Sequence, residues 1–238
     1  MKQGLPAALI VLSAAISICG QDQSQTKHNT RPSQTNTSAA PTGNDNSSDP
    51  VKYTYEFSQP KFYVKHIRLE HDANGRGTVT FERTNEDVSV EEPLQLSPAA
   101  LARINAAWQA LQFLDSTADY QADKQFPHLG TMRIGMQRGE QKRVAEFNWT
   151  NNPDASTLAN EYRKAADQAI LIFDISIARQ NQPLNAPKLM EAMESLLKRD
   201  ALSDPQQLLP LLKELSTDER VPLIARNHAL RLSKKIQK

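Results

Sequence analysis

Two carboxylates and an imidazole stand close together in the chain at Asp119, Asp123 and His128, with the phenol Tyr120 between them. These groups accept and donate protons, so a cleft that gathered Asp119, Asp123 and His128 would suit hydrolysis by general acid–base chemistry. All four fall in the long connection between a predicted helix and a predicted hairpin, the kind of segment on which functional residues concentrate. The three charged residues are the candidates for a polar site. Trp149, beside Asn148 and Asn151, is a second candidate. Together with Trp108 it is expected in the core, whereas an exposed indole there would stack on a sugar.

Elsewhere the chain offers little chemistry. It has no Gly-x-Ser-x-Gly elbow, no Gly-x-x-x-x-Gly-Lys loop, no His-Glu-x-x-His and no dinucleotide fingerprint among its eight glycines. Asp72-Ala73-Asn74-Gly75-Arg76-Gly77 follows the start of a calcium-loop spacing, but Arg76 takes a ligand position and Arg83 stands where a bidentate Glu is needed. The segment is therefore read as a hairpin turn. His66 and His71 are five apart on a strand and so face opposite ways, and Glu91 and Glu92 do the same. No catalytic nucleophile, cofactor or metal set is assigned. A net charge of +1, from 28 basic and 27 acidic residues, argues against a dedicated nucleic-acid binder. One cysteine in 238 residues excludes an internal disulfide framework.

Those candidates need elements to hold them. Tyr53, Tyr55 and Phe57 alternate as in a strand, and so do Val79 and Phe81. Between them Phe62–Leu69 is rich in aromatic and branched residues, and Asp72–Gly75 supplies a turn. A further strand over Val88–Leu96 is placed at an edge by Pro93. Ser97 and Pro98 open a helix whose face is Leu101, Ile104, Trp108, Leu111 and Leu114. A second hairpin joins Thr131–Gln137 to Arg143–Trp149, with Met132, Ile134 and Met136 on one face, as are Val144 and, after a register break, Phe147. A long helix, opened by Asp154 or Ser156, runs to about Arg179 with Leu158, Tyr162, Ala165, Ala166, Ala169, Ile170, Phe173 and Ile177 as its stripe. The expected class is α+β: an antiparallel sheet of about four or five strands with helices on one face, followed by a C-terminal helical hairpin.

The N-terminus reads as an address. Lys2 precedes Leu5–Ile18, 14 mostly apolar residues, too few for a bilayer span of about 20 but suited to a signal-peptide core. Ile16-Ser17-Ile18-Cys19 follows. A short apolar stretch ending at a cysteine resembles the signal peptide of bacterial lipoproteins, and the resemblance implies that Cys19 carries the lipid. Export by cleavage after Ala15-Ile16-Ser17 is the alternative. Residues 21–50 contain no Val, Ile, Leu, Met, Phe, Trp or Tyr and so have nothing to bury; they are expected to form a disordered tether. The resulting plan is signal 1–19, tether 20–50, α+β domain 51–184 and helical subdomain 185–238.

In the last part, Asp204-Pro205, a mid-helix Pro210, Asp218 and Arg226-x-x-Ala229-x-x-Leu232 resemble a single HEAT repeat. One such unit cannot bury its own apolar face, so a solenoid is not expected. Ile224, Ala225, Ala229 and Leu232 are assigned inward. The whole architecture resembles that of bacterial lipoproteins. It implies an exported, envelope-anchored, non-enzymatic binding protein, held to the bilayer through acylated Cys19 and meeting an envelope protein or glycan. The alternatives are an interaction module that uses the C-terminal helices and an envelope hydrolase at Asp119, Asp123 and His128.

Overall fold

The computed structural model describes residues 49–238. The apolar segment, Cys19 and most of the polar tether lie outside the described residues. Among the described residues no helix is long and apolar enough to cross a membrane.

Alternation builds the sheet. β1 (Val51–Ser58) turns Tyr53, Tyr55 and Phe57 to one face. It pairs with β2 (Val64–Asp72) on one side and β5 (Thr131–Arg138) on the other. With β3 (Arg76–Arg83), β4 (Val90–Gln95) and β6 (Gln141–Phe147) the order is β4-β3-β2-β1-β5-β6, and every pair is antiparallel. The class is α+β as expected, with six strands rather than four or five, because every strand-like segment joins the same sheet. Pro93 sits on the edge strand β4, where it removes no ladder hydrogen bond. Between β2 and β3, Gly75 takes a left-handed φ of 73°. There Asp72 Oδ1 accepts from the N–H groups of Asn74 (2.8 Å) and Arg76 (2.9 Å), so the calcium-like spacing is spent on the turn.

The helices start and stop on short-range signals. The Ser97 hydroxyl accepts from Ala100 N–H at 3.1 Å and opens α1 (Pro98–Leu111). Gln112 then turns left-handed, so Leu114, expected to continue the helix face, lies beyond the helix end. α2 (Pro153–Asn181) begins before the expected Asp154 or Ser156. Asn152 Oδ1 caps Asp154 and Ala155 at 3.0 and 2.9 Å, and Pro153 fills the first helical position. α3 (Ala186–Lys198), α4 (Leu209–Thr217) and α5 (Leu223–Ile236) follow.

Four further expectations are corrected. β2 starts at Val64, which leaves Phe62 and Tyr63 exposed in the preceding loop. Val144 is 52% exposed, because alternation back from the buried Phe147 puts Ala145 inward and Val144 on the other face; no register break intervenes. Pro210 stands at the second residue of α4, where a 3₁₀ turn (Pro205–Leu208) becomes α-helix, so it bends nothing. Ile177 and Ile224 point outward, since the buried stripes of α2 and α5 are set by other residues: Ile175 and Ala178 in one, Ala225, Ala229, Leu232 and Ile236 in the other.

The long helix α2 belongs to two cores. Its first part, from Ala155 to Ile170, shares one with the inner face of the sheet, Ile104 and Trp108. Leu171 and Ile175 belong to a second core with Met190, Met193, Leu208, Leu212, Ala229 and Leu232 from the C-terminal helices. The seam between them is polar at its rim. The Arg103 guanidinium donates to Glu161 (2.8 Å) and to the Ser203 carbonyl (2.6 Å), while buried Gln168 accepts from Asp204 N–H at 2.9 Å.

Candidate functional site

The connection 112–130 is long, and three sets of hydrogen bonds hold it in one shape. Arg143, the inward residue two before Ala145 on β6, stacks over Phe113 and Tyr120 with its carbon at 4.5 and 5.3 Å from the ring centres. It donates to the carbonyls of Phe113 and Ala118, both at 2.6 Å. Further on, Ala122 N–H donates to the Trp149 carbonyl at 2.9 Å. The Asn148 amide oxygen accepts from Phe126 N–H (3.0 Å) and Gln121 (3.3 Å), and Asn148 N–H donates to Gln121 Oε1 at 2.9 Å. Lastly, the side-chain amide of buried Gln59 donates to the carbonyls of Pro127 (3.0 Å) and His128 (2.9 Å). Gly130 closes the segment at φ 94°, with the Phe57 ring so near that a Cβ would stand 2.6 Å from it.

On this frame the segment shows a row of rings. Trp149 meets Phe126 edge-on with centroids 5.2 Å apart, and His128 meets the same ring edge-on at 6.0 Å. The Lys124 ammonium stands 5.0 Å from the Phe126 centroid. Trp149 is 44% exposed, which overturns the expectation of a core residue; Trp108, 3% exposed, meets it. Trp149 lies two residues past Phe147, the last residue of β6, so sheet alternation no longer fixes where its ring points.

Asp119, Asp123 and His128 are all exposed. Asp119 Oδ1 accepts from Gln121 N–H at 2.9 Å and shapes the local turn. Among the described residues no hydrogen bond or ion pair joins any two of the three. They stand as separate polar groups, and His128 is the one that meets the ring row, through Phe126. Phe126, Lys124, Gln121 and Gln59 also belong to this site and were not singled out from the sequence. Phe126, Gln121 and Gln59 have partners 22 to 69 residues away, beyond the reach of any local pattern, whereas Lys124 meets Phe126 two residues on.

A second polar cluster is buried beneath the sheet. Trp108 Nε1–H donates to the Tyr162 hydroxyl at 2.9 Å, the hydroxyl contacts His71 Nε2 at 2.8 Å, and His71 Nδ1 contacts the Asp72 carbonyl at 2.7 Å. Indole can only donate and a carbonyl can only accept. Neutral His71 therefore carries its proton on Nδ1, and Tyr162 donates to Nε2. Burial lowers the His71 pKa below its ordinary value, and burial raises that of Tyr162. Every group in this chain is satisfied and packed away from solvent, so it is architecture rather than a substrate site. On the outer side of α2, burial raises the Asp167 carboxyl despite the nearby Arg163 and Arg199 guanidinium groups. Asp167 lines an open hollow of about 320 Å³ with Lys164 and Asn160. Among the described residues no cluster of three or more His, Cys, Asp or Glu side chains could hold a metal ion.

No protein-family model matches the chain, and no curated protein matches it in sequence.

Proposed function

We propose that the protein is an envelope-anchored, non-enzymatic binding protein, tethered to a bilayer through acylated Cys19, that holds a glycan against the Trp149–Phe126–His128 edge. The observation that carries this reading is a large, half-exposed indole set against a connection tied by Arg143, Asn148 and Gln59. Exposing an indole forgoes favourable burial, and ordering this connection costs further entropy. A fixed ring edge is what a sugar needs: the C–H face of a pyranose lies on the apolar ring while its hydroxyls reach polar groups at the rim. His128 and Lys124 supply such groups. Preorganisation lowers the entropy cost of binding, which matters for a shallow site with few contacts.

The test is fluorescence titration of the full chain with soluble β-1,4-linked N-acetylhexosamine oligomers. Trp108 is buried, so a saturable change reports on Trp149. It should vanish in Trp149→Ala while the thermal midpoint stays put; an unchanged titration in that variant sinks the glycan site. Anchoring is read separately. Labelled fatty acid should enter the wild-type chain and not Cys19→Ala, and equal fractionation of the two would remove the anchor while leaving the glycan site untouched.

A further inference from the structure

The outward face of α5 is apolar where a solvated helix should be polar. Its inward stripe is Ala225, Ala229, Leu232 and Ile236, all buried. On the opposite side Leu223 is 62% exposed, Ile224 67% and Leu230 46%. At 100° per residue, Leu223, Asn227, Leu230 and Lys234 form one line down the centre of that side, with Ile224, Arg231 and Lys235 beside it. The face thus runs from aliphatic at its start to cationic at its end. From Arg220 to Lys238 the sequence carries six Lys and Arg and no acid. Arg231, Lys234, Lys235 and Lys238 make no ion pair among the described residues. Acids on the neighbouring segments are committed elsewhere: Asp218 to Arg220 and Arg179, Glu214 to Arg179, and Glu194 to Lys198 and His228; Glu219, ahead of the helix, makes no ion pair among the described residues.

We infer that α5 docks on an anionic lipid bilayer, lying flat with Leu223, Ile224 and Leu230 in the headgroup–acyl boundary and Arg231, Lys234, Lys235 and Lys238 against lipid phosphates. Three observations favour a bilayer over a protein groove. The apolar side chains lie on the convex side of a helix already packed from behind, so they suit a planar surface. The cations follow the aliphatics along one helix of about 21 Å, which suits insertion to one shallow depth. The charge is of a single sign throughout, complementary to an anionic surface. Cations at a helix C-terminus also complement its dipole, but that accounts for the lysines and not for three exposed aliphatics. The inference depends on neither the Cys19 anchor nor the Trp149 site.

The experiment uses the full chain carrying Cys19→Ala, so that no acyl group contributes. Co-sedimentation is measured with vesicles of phosphatidylcholine alone and of phosphatidylcholine with one part in three phosphatidylglycerol. Binding should be stronger to the anionic vesicles and should weaken as salt rises. Lys234→Glu/Lys235→Glu should lower the anionic binding constant at least about tenfold. Leu223→Ser/Ile224→Ser should lower it on both vesicle types while leaving the salt dependence in place. Circular dichroism establishes that each variant is folded, and Glu191→Gln on α3 serves as a charge-changing control with unchanged or stronger binding. Equal binding of parent and α5 variants overturns the proposal, as does equal binding to the two vesicle types. A dimer in sedimentation equilibrium that Leu223→Ser/Ile224→Ser abolishes, without vesicle binding, assigns the face to a second copy and overturns it too.

Discussion

Along the first part of α2 the side chains face rings: Tyr53, Tyr55, Phe57, Phe81, Trp108, Phe113 and Phe147. Beyond Phe173, which still meets Phe81 edge-on at 5.4 Å, the buried side chains of α2 join a core without rings, for after Phe173 the chain contains no Phe, Trp or Tyr. The sheet-side core has a hydrogen-bonded chain, Trp108–Tyr162–His71–Asp72, running through its middle. The helical core is purely aliphatic, and its polar contacts sit at the rim, where Arg179 binds Asp218 and Glu214, each at 2.6 Å. The geometry behind this is plain. A strand offers its inner face one residue in two, and few of them, so each position must fill much space; aromatic residues do that. Helices packed on helices interdigitate, and Leu, Met and Ala fit between them. Most buried rings that carry a polar atom find a partner, as Trp108, Tyr162 and His71 do, and hence the sheet side is wired and the helical side is not.

The largest effect that tests the contrast comes from the aliphatic side. Leu212 is fully buried there, and Leu212→Ala should cost about 2–5 kcal/mol. All tryptophan and tyrosine signal comes from residues 53–162, whereas far-UV circular dichroism sees every helix. Because α2 serves both cores, the two signals should shift to lower denaturant together in Leu212→Ala. A variant whose helical signal melts first, with fluorescence unmoved, would break the molecule into two independent units at the middle of α2.

The next effect lies in the wiring. Tyr162→Phe keeps the ring and its stacking on Tyr55, at 5.3 Å between centroids, but strands Trp108 N–H and His71 Nε2. The expected loss is about 1–3 kcal/mol, the usual cost of buried groups left unpaired. Near-neutral stability loss of Tyr162→Phe would mean that water enters and replaces the hydroxyl.

Much of this fold was legible in the sequence, and the reasons for the failures are local. Tyr53, Tyr55 and Phe57 alternate, Asp72–Gly75 turns, and Ser97-Pro98 caps, because those signals act within a few residues. Val144 and Ile224 were misassigned because an apolar residue at an outward phase looks like a core residue until its neighbours fix the phase. The candidate site was half legible. The connection 112–130 could be marked out as a long polar segment, yet Trp149 could not be told from a core tryptophan until β6 was known to end at Phe147. The wiring of His71 to Tyr162 spans 91 residues and leaves no local trace.

Acid separates the two regions by pH window. Burial lowers the His71 pKa in the folded protein below the ordinary 6.5, so between the two values the unfolded chain binds a proton that the folded chain does not. Stability should therefore begin to fall as pH drops below about 6.5 and stop falling on this account once the folded value is passed. Asp218 behaves differently. Hydrogen bonds from Arg220 and then Arg179 hold its carboxyl below the ordinary 3.8, so the stability it confers is present above that value and is lost as pH falls further. Denaturant midpoints measured from pH 8 to pH 3 should thus show a first decline absent from His71→Gln and a later one reduced in Asp218→Asn. A first decline that survives His71→Gln would place the titrating group elsewhere.

The smallest effect is the sharpest, because it makes the same chemical change on the ring stacked against Tyr162. Tyr55 lies fully buried, stacked on Tyr162, with no hydrogen-bond partner for its hydroxyl among the described residues; burial pushes its pKa up to about 12 against the opposing pull of Arg163. Tyr55→Phe removes a desolvated polar atom and leaves the ring in place. Where Tyr162→Phe breaks a satisfied chain, Tyr55→Phe relieves an unsatisfied atom, so the expected change is between zero and a gain of about 1 kcal/mol. The pair isolates hydrogen bonding from packing, since both variants lose one oxygen from stacked rings in the same core. If Tyr55→Phe instead costs as much as Tyr162→Phe, its hydroxyl has a partner, such as a bound water or the nearby Arg163 guanidinium. The polar network of the sheet-side core would then extend across β1, and the contrast with the all-aliphatic helical core would widen.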